Sequence, residues 1–190
     1  MVDFTLHTPE TAPKEAGERL AAAKAKLGFV PNLWAIQAEA PGLLEAYQTV
    51  SAIFDQKTSF TATERQVVMI TVNFDNECHF CMAAHTGTAK SQGVSDAVID
   101  ALRNDTPLPD AKLEALRTFT RAMVAKRGWA KPSDVEAFLA AGYVQRQVLE
   151  VILGVGLKVL SNYTNHVAET PINEAFQKFA WTKPAVQAAE

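Results

Sequence analysis

The stretch TATERQVVMITVNFDNECHFCMAAHTGTAKSQG, residues 61–93, predicts a helical hairpin. Thr61 and Glu64 have the spacing of a capping box, so a helix should begin just after the threonine. Residues 75–76, Asp-Asn, interrupt that helix. A second helix should begin near Cys78 and end at the glycine that closes the stretch. The sequence therefore predicts two antiparallel helices, with both cysteines of the chain in the first turn of the second.

The rest of the chain also predicts helices, because apolar residues recur three and four positions apart rather than two. We therefore expect an all-α fold, a single helical domain over residues 1–190 that contains the hairpin. The predicted helices cover about residues 13–27, 33–38, 42–54, 62–74, 78–92, 95–103, 111–127, 132–140 and 143–166, with a last piece at about 171–181.

Composition and charge narrow the classes of function. The chain is 48% hydrophobic and 21% charged, with a net charge of −3 and no basic run, which argues against a nucleic-acid or acidic-membrane partner. Residues 148–160 are the most apolar stretch, but they are too short and too charged to cross a bilayer. Residues 1–10 lack the features of a signal peptide, so we expect a cytoplasmic protein. The apolar helix at 148–160 also predicts an oligomer that covers it.

The two cysteines and one histidine form a pattern suited to thiol chemistry. On a helix, Cys78, Cys81 and His85 lie three and four residues apart and share one stripe. The sulfurs can then close a disulfide within one turn, and the imidazole can exchange protons with the nearer thiol. A helix N-terminus lowers the pKa of a thiol from about 8.5 toward neutrality. A thiolate that attacks a peroxide becomes a sulfenic acid, which a second cysteine resolves as a disulfide.

A carboxylate that orients the histidine would complete this arrangement of nucleophile and base. In an antiparallel hairpin that turns at residues 75–76, Gln66 is level with His85, and Glu64 lies about 3 Å further along the axis. We therefore expect Glu64 to orient His85, although the capping box accounts for the same residue.

Other interpretations of these features stay open. A CxxC pair can be a redox pair, half of a metal site or a coincidence. A structural zinc site needs four ligands, and this chain has two cysteines, while its remaining histidines, His7 and His166, are far away in sequence. We therefore favour the redox pair and expect no metal and no cofactor. The polar segment at residues 161–166 is interpreted as a helix terminus, the alternative being a polar wall of the thiol pocket.

The stretch from Thr63 to Gly87, with Cys78-His79-Phe80-Cys81 and His85 inside it, resembles the AhpD-like alkylhydroperoxidase branch of the carboxymuconolactone decarboxylase family. Residues 27–32, LGFVPN, resemble the peroxidase-related members, and residues 148–154 extend the similarity over most of the chain. The resemblance implies an all-α fold and an obligate homo-oligomer, usually a trimer or hexamer. A dimer would also cover the apolar helix at 148–160.

The resemblance also implies peroxiredoxin-type reduction of hydroperoxides. The cysteine pair would cycle between dithiol and disulfide, His85 would join a proton relay from a glutamate, and a lipoyl or thioredoxin-like thiol donor would restore the dithiol. Two positions depart from the founding members: Gln66 stands at their relay glutamate, and Phe80 stands where they carry a histidine. Glu64 has the position that many other relatives use.

We therefore predict a thiol-dependent peroxidase with Cys78, Cys81, His85 and Glu64 as catalytic residues. Cys81 should be the cysteine that attacks the peroxide, because His85 is its i+4 neighbour, and Cys78 should resolve the product. Two alternatives are a non-catalytic oligomeric module that senses redox state or holds a metal, and a decarboxylase or isomerase of a small acid as in other branches of the family.

Overall fold

The computed structural model describes residues 3–185 and shows helices joined by short turns. The helices are α1 (Lys14–Leu27), α2 (Asn32–Gln37), α3 (Pro41–Lys57), α4 (Ala62–Asp75), α5 (His79–Ser91), α6 (Asp96–Asn104), α7 (Ala111–Ala125), α8 (Pro132–Ala140) and α9 (Gln145–Ala168), followed by a 3-10 helix (Glu174–Phe179). The predicted all-α fold is confirmed. The sequence places the end of α3 three residues too early, and the last piece is a short 3-10 helix.

Helix α4 is the centre of the molecule and is buried on nearly every side by α5, α7 and α9. Its apolar residues belong to one large core, in which Phe138 stacks between Phe119 and Tyr143 with ring centroids 4.6 and 4.4 Å away. Stacked rings at this spacing add to the stabilisation from burial alone. A rigid central helix gives the neighbouring helices a fixed frame for a functional site.

The α4–α5 hairpin forms as the sequence predicts. Thr61 and Glu64 make the reciprocal hydrogen bonds of a capping box at the start of α4. The turn after α4 contains Glu77 in the left-handed region, with φ +54°, and the Cys78 amide donates to the Asn73 carbonyl at 2.9 Å. This turn reverses the chain and leaves Cys78 as the N-cap residue of α5.

Helix α9 approaches the core closely at a glycine. A Cβ atom at Gly154 would lie 2.8 Å from the Val68 side chain and 2.9 Å from the Phe54 ring, so only glycine allows this packing. Lys158 follows one turn later on the same face of α9 and is 1% exposed. The close approach at Gly154 therefore brings a lysine into the interior of the bundle.

The opposite face of α9 is apolar and exposed. Its large side chains are 66%, 47%, 57% and 71% exposed at Leu149, Ile152, Tyr163 and Val167. Among residues 3–185, no single helix is long and apolar enough to cross a membrane, and α8 with α9 reach that length only as a pair bent by 115°.

Candidate active site

The two thiols lie at the N-terminal end of α5 and are both buried and reduced. Cys78 is 1% exposed and Cys81 is 2% exposed. The side-chain amide of Asn165 on α9 reaches both sulfurs, with Nδ2 at 3.2 Å from Cys81 Sγ and 3.7 Å from Cys78 Sγ. Asn165 therefore holds the pair together across the helix interface and donates to whichever sulfur carries negative charge.

The environment separates the acidities of the two thiols. Burial opposes ionisation of Cys81, but a hydrogen bond from the Cys78 thiol and the charge of Lys158 outweigh it and lower the pKa of Cys81 to about 5. A hydrogen bond from the Ser161 hydroxyl contributes in the same direction. The pKa of Cys78 is raised by its hydrogen bond to Cys81, then by burial and by the negative charge of Cys81. Cys81 is thus the thiolate and Cys78 the thiol.

Lys158 is the residue that the sequence analysis did not identify as functional. Its ammonium Nζ lies 3.1 Å from His85 Nε2, and among residues 3–185 no carboxylate lies within salt-bridge distance of it. A buried lysine without an acidic partner is costly and is therefore a candidate functional group. The signal in the sequence was a single lysine within the apolar run at residues 148–160.

The hydrogen bonds of His85 determine its protonation. An ammonium can only donate, so His85 Nε2 accepts from Lys158, and Nδ1 then carries the proton and donates to Gln66 Oε1 at 3.0 Å. Burial first, and the charge of Lys158 second, lower the pKa of His85 well below its ordinary value. His85 is therefore neutral. Lys158 lies between His85 and Cys81, whereas the sequence predicted direct proton exchange between the His85 imidazole and the Cys81 thiol.

The predicted contact between Glu64 and His85 is wrong. The Glu64 carboxylate accepts hydrogen bonds from the Thr61 amide and hydroxyl at 2.8 and 2.9 Å, and it faces Lys112 at 3.8 Å. Two residues along a helix correspond to a rotation of about 200°, so the face that presents Gln66 to His85 turns Glu64 away. The capping box, which was the structural explanation for Glu64, accounts for its contacts at this end of α4.

The polar segment at residues 161–166 is part of the site rather than only a helix terminus. Ser161 and Asn165 point at the thiols, and Asn162 is buried against Asn73, whose Oδ1 accepts from Asn162 Nδ2 at 3.0 Å. The alternative interpretation, a polar wall beside the cysteines, is the one that the structure supports.

A cavity of about 490 Å³ opens beside His85. Its polar part includes Gln66 and His85, and its walls include the aromatic residues Trp34, Tyr47, Phe54, Phe80 and Phe176. Tyr47 also packs against the cluster formed by the cysteines, and burial together with the charges of Cys81 and Cys78 raises its pKa. The raised pKa keeps the hydroxyl of Tyr47 protonated in the wall of the cavity.

Several solved structures share the fold of this chain. A peroxidase-related protein of Ralstonia eutropha JMP134, described as an alkylhydroperoxidase AhpD core, superposes with a TM-score of 0.82 at 19% identity over 91% of this chain and 93% of its own. A peroxidase-related protein of Silicibacter sp. TM1040 gives 0.78 at 20% identity over 92% of each chain. The debrominase Bmp8, in complex with 2,3,4-tribromopyrrole, gives 0.78 at 14% identity over 94% and 96%. The chain has the AhpD-type helical fold.

The sequence also matches a family model. Residues 41–131, which contain the α4–α5 hairpin, match the model of the carboxymuconolactone decarboxylase family. The resemblance predicted from the sequence is thereby confirmed. No functionally curated protein shows significant similarity to the chain.

Proposed function

We propose that the chain is a thiol-dependent peroxidase that reduces hydroperoxides through Cys81 and Cys78. The observation that carries this proposal is the buried pair of thiols that share the Asn165 amide, beside a buried lysine, Lys158, that contacts His85. A thiolate is the form that attacks a peroxide, and a neighbouring thiol is what resolves the product. The similarity to peroxidase-related proteins with this fold supports the same class of reaction.

The first step uses the cavity beside His85. The Cys81 thiolate attacks the terminal oxygen of the hydroperoxide, the O–O bond breaks, and Cys81 becomes a sulfenic acid. The alkoxide that leaves takes a proton from the Lys158 ammonium, which hydrogen-bonds to Cys81 and is held by His85. The Tyr47 hydroxyl donates a hydrogen bond to the peroxide oxygen. Positive charge and a neutral donor placed where negative charge develops lower the barrier.

The second step closes the disulfide. The Cys78 sulfur attacks the sulfenic sulfur of Cys81, the S–O bond breaks, and water leaves with the Cys78 proton. The Asn165 amide already contacts both sulfurs, so the pair needs little rearrangement to join. A thiol donor, of the lipoyl or thioredoxin-like kind, then returns two electrons and restores the dithiol.

The decisive experiment is a thiol count with intact mass before and after one equivalent of cumene hydroperoxide. Loss of both thiols and of about two mass units supports the proposal. In Cys78→Ser, the Cys81 sulfenic acid should persist and be captured by dimedone, whereas Cys81→Ser should consume no peroxide. Persistence of both thiols in the wild-type chain would rule the proposal out.

Glu64→Gln is the matched control for the corrected assignment. Glutamine at this position also completes a capping box, so the fold is retained while the carboxylate is removed. We expect an unchanged rate of peroxide consumption, because Glu64 contacts the helix cap and not His85. A loss of rate as large as that of a cysteine variant would restore the relay role predicted from the sequence.

A second candidate is removal of a halogen from a flat ring by the same dithiol. The aromatic walls of the cavity favour a planar ligand, and a debrominase with the same fold holds tribromopyrrole. In this reaction, one aryl halide and the dithiol would give the arene, a halide ion, a proton and the disulfide. Halide release coupled to loss of two thiols would favour this reaction over peroxide reduction. Turnover of a small acid by the cysteine variants would instead indicate a decarboxylase.

A further inference from the structure

A second recess, separate from the aromatic cavity, reaches Cys78. It has a volume of about 300 Å³, and Cys78 lies in its wall, whereas His85 and Gln66 line only the cavity. Phe80, which lies between the cysteines in sequence, lines both spaces. The aromatic cavity therefore adjoins His85 and Gln66, and the second recess adjoins Cys78.

Two residues that line this recess each carry a buried polar atom with no hydrogen-bond partner among residues 3–185. Asn165 is 5% exposed and Thr170 is 8% exposed, and both line the recess. The atoms are Asn165 Oδ1 and Thr170 Oγ1, whereas Asn165 Nδ2 donates to the sulfurs. Unpaired buried polar atoms are costly, and a ligand that pairs with them recovers that cost.

The end of α9 builds this arrangement. Glu169 adopts the left-handed region with φ +45°, a conformation that non-glycine residues rarely take, and the Thr170 amide then donates to the Asn165 carbonyl at 3.2 Å. The chain thereby folds Thr170 back beside Asn165.

We propose that this recess binds the cysteinyl thiol of the reductant, with Asn165 Oδ1 accepting from a peptide N–H beside the thiol and the Thr170 hydroxyl pairing with a neighbouring peptide group. A peptide unit offers a donor and an acceptor within a few atoms of a cysteine sulfur, which matches the two unpaired atoms. The inference rests on the disulfide of the proposed function and assigns the partner that reopens it.

The chemistry selects Cys78 as the sulfur that is attacked. The donor thiolate attacks Cys78 Sγ, the Cys78–Cys81 bond breaks, and Cys81 leaves as a thiolate, giving a mixed disulfide on Cys78. A second donor thiol then attacks the donor sulfur, releases the oxidised donor and returns Cys78 as a thiol. Attack at Cys78 is favoured because the leaving thiol with the lower pKa leaves faster, and Cys81 is that thiol.

The test measures the reductive half-reaction alone. The disulfide is formed with diamide, so the experiment does not depend on activity toward peroxides, and its reduction is followed by intact mass. The probes are N-acetylcysteine methylamide, which carries peptide groups beside the thiol, and 2-mercaptoethanol and dihydrolipoamide, which do not. Thr170→Val should slow reduction by the cysteinyl probe about fivefold, the loss of one hydrogen bond, and leave the other two rates unchanged.

Two further variants make the outcome decisive. Thr170→Ser keeps the hydroxyl and should restore the rate with the cysteinyl probe. Ser51→Leu narrows the aromatic cavity and should slow oxidation by cumene hydroperoxide while reduction keeps its rate. Equal effects of Thr170→Val on all three thiols, or no effect on any, would overturn the proposal. Failure of diamide to form the Cys78–Cys81 disulfide would contradict both the proposed binding recess and the proposed function.

The source of the cysteinyl thiol is resolved by competition. A short cysteinyl peptide and a reduced thioredoxin present the same group on a small molecule and on a protein surface. Faster reduction by the peptide would identify a low-molecular-weight donor, and faster reduction by the protein a macromolecular one. Either result that also depends on the Thr170 hydroxyl supports the recess as the binding site.

Discussion

Replacement of Lys158 by methionine tests the central feature of the site. Methionine fills nearly the same volume without charge, so the packing of α9 should be retained. In the wild-type chain, the charge of Lys158 and its hydrogen bond help to lower the pKa of Cys81 to about 5. The variant removes both contributions and leaves the thiol buried. The pKa of Cys81 therefore rises toward the ordinary value, while the hydrogen bonds from Cys78 and Ser161 remain.

The size of the effect follows from the fraction of thiolate. With a pKa of about 5, nearly all of Cys81 is ionised at neutral pH. At the ordinary thiol pKa of about 8.5, only ~3% is ionised at pH ~7. Alkylation by iodoacetamide requires the thiolate, so the midpoint of its pH profile in Lys158→Met should move from about 5 toward about 8.5. The rate should recover as the pH is raised above about 9, because the variant then ionises.

The assay is the rate of Cys81 alkylation as a function of pH, followed by peptide mass spectrometry with both cysteines present, because the Cys78 thiol itself helps to lower the pKa of Cys81. Lys14→Met is the matched control, since Lys14 is an exposed lysine and its loss should not change the profile. Circular dichroism and urea denaturation check that the variant folds. An alkylation profile for Lys158→Met that coincides with the wild-type profile would refute the role assigned to this lysine.

Four further predictions concern the same network and the fold around it. Gln66→Glu should raise the pKa of His85, because a carboxylate stabilises the imidazolium. Nuclear magnetic resonance titration of the imidazole ring measures this pKa. An unchanged pKa would contradict the tautomer assigned to His85. Gly154→Ala should destabilise the chain by about 1–3 kcal/mol in urea denaturation through overpacking, and a neutral effect would contradict the close helix contact. The pKa of Cys81 is lower in the folded chain than in the unfolded chain. The wild-type free energy of unfolding should therefore exceed that of Cys81→Ser above about pH 8.5, and the excess should be lost as the pH falls through the folded pKa. Urea denaturation at several pH values measures this difference, and a difference that does not change with pH would contradict the prediction. Ile152→Glu should convert an oligomer into a smaller species in light scattering, and a monomeric wild-type chain at micromolar concentration would contradict the predicted oligomer.

The hairpin could be predicted from the sequence because its signals are local. The capping box at Thr61, the break after Asp75 and the spacing of the cysteines each act within a few residues, and all three are present in the structure. Positions on one helix are related by a fixed rotation, so the shared stripe of Cys78, Cys81 and His85 was also accessible. Local rules therefore fixed the half of the site that α5 provides.

The other half depends on contacts that are distant in the chain. Lys158 meets His85 across 73 positions, and it does so because Gly154 lets α9 approach the core. Periodicity indicates that α9 is a helix but not which face packs where. The choice of Glu64 over Gln66 failed for a related reason: chemistry favoured a carboxylate, whereas the hairpin geometry had already placed Gln66 level with His85.

The departure at Gln66 becomes understandable once Lys158 is included. A glutamate at that position would stabilise a charged imidazolium, which would then lie against a lysine ammonium and repel it. A neutral glutamine accepts from Nδ1 and keeps His85 neutral, so that Nε2 remains an acceptor for Lys158. The positive charge stays on the lysine, where it acts on the Cys81 thiolate. Gln66 and Lys158 are thus matched, and a single change at either position should disturb the ionisation of Cys81 through the histidine between them.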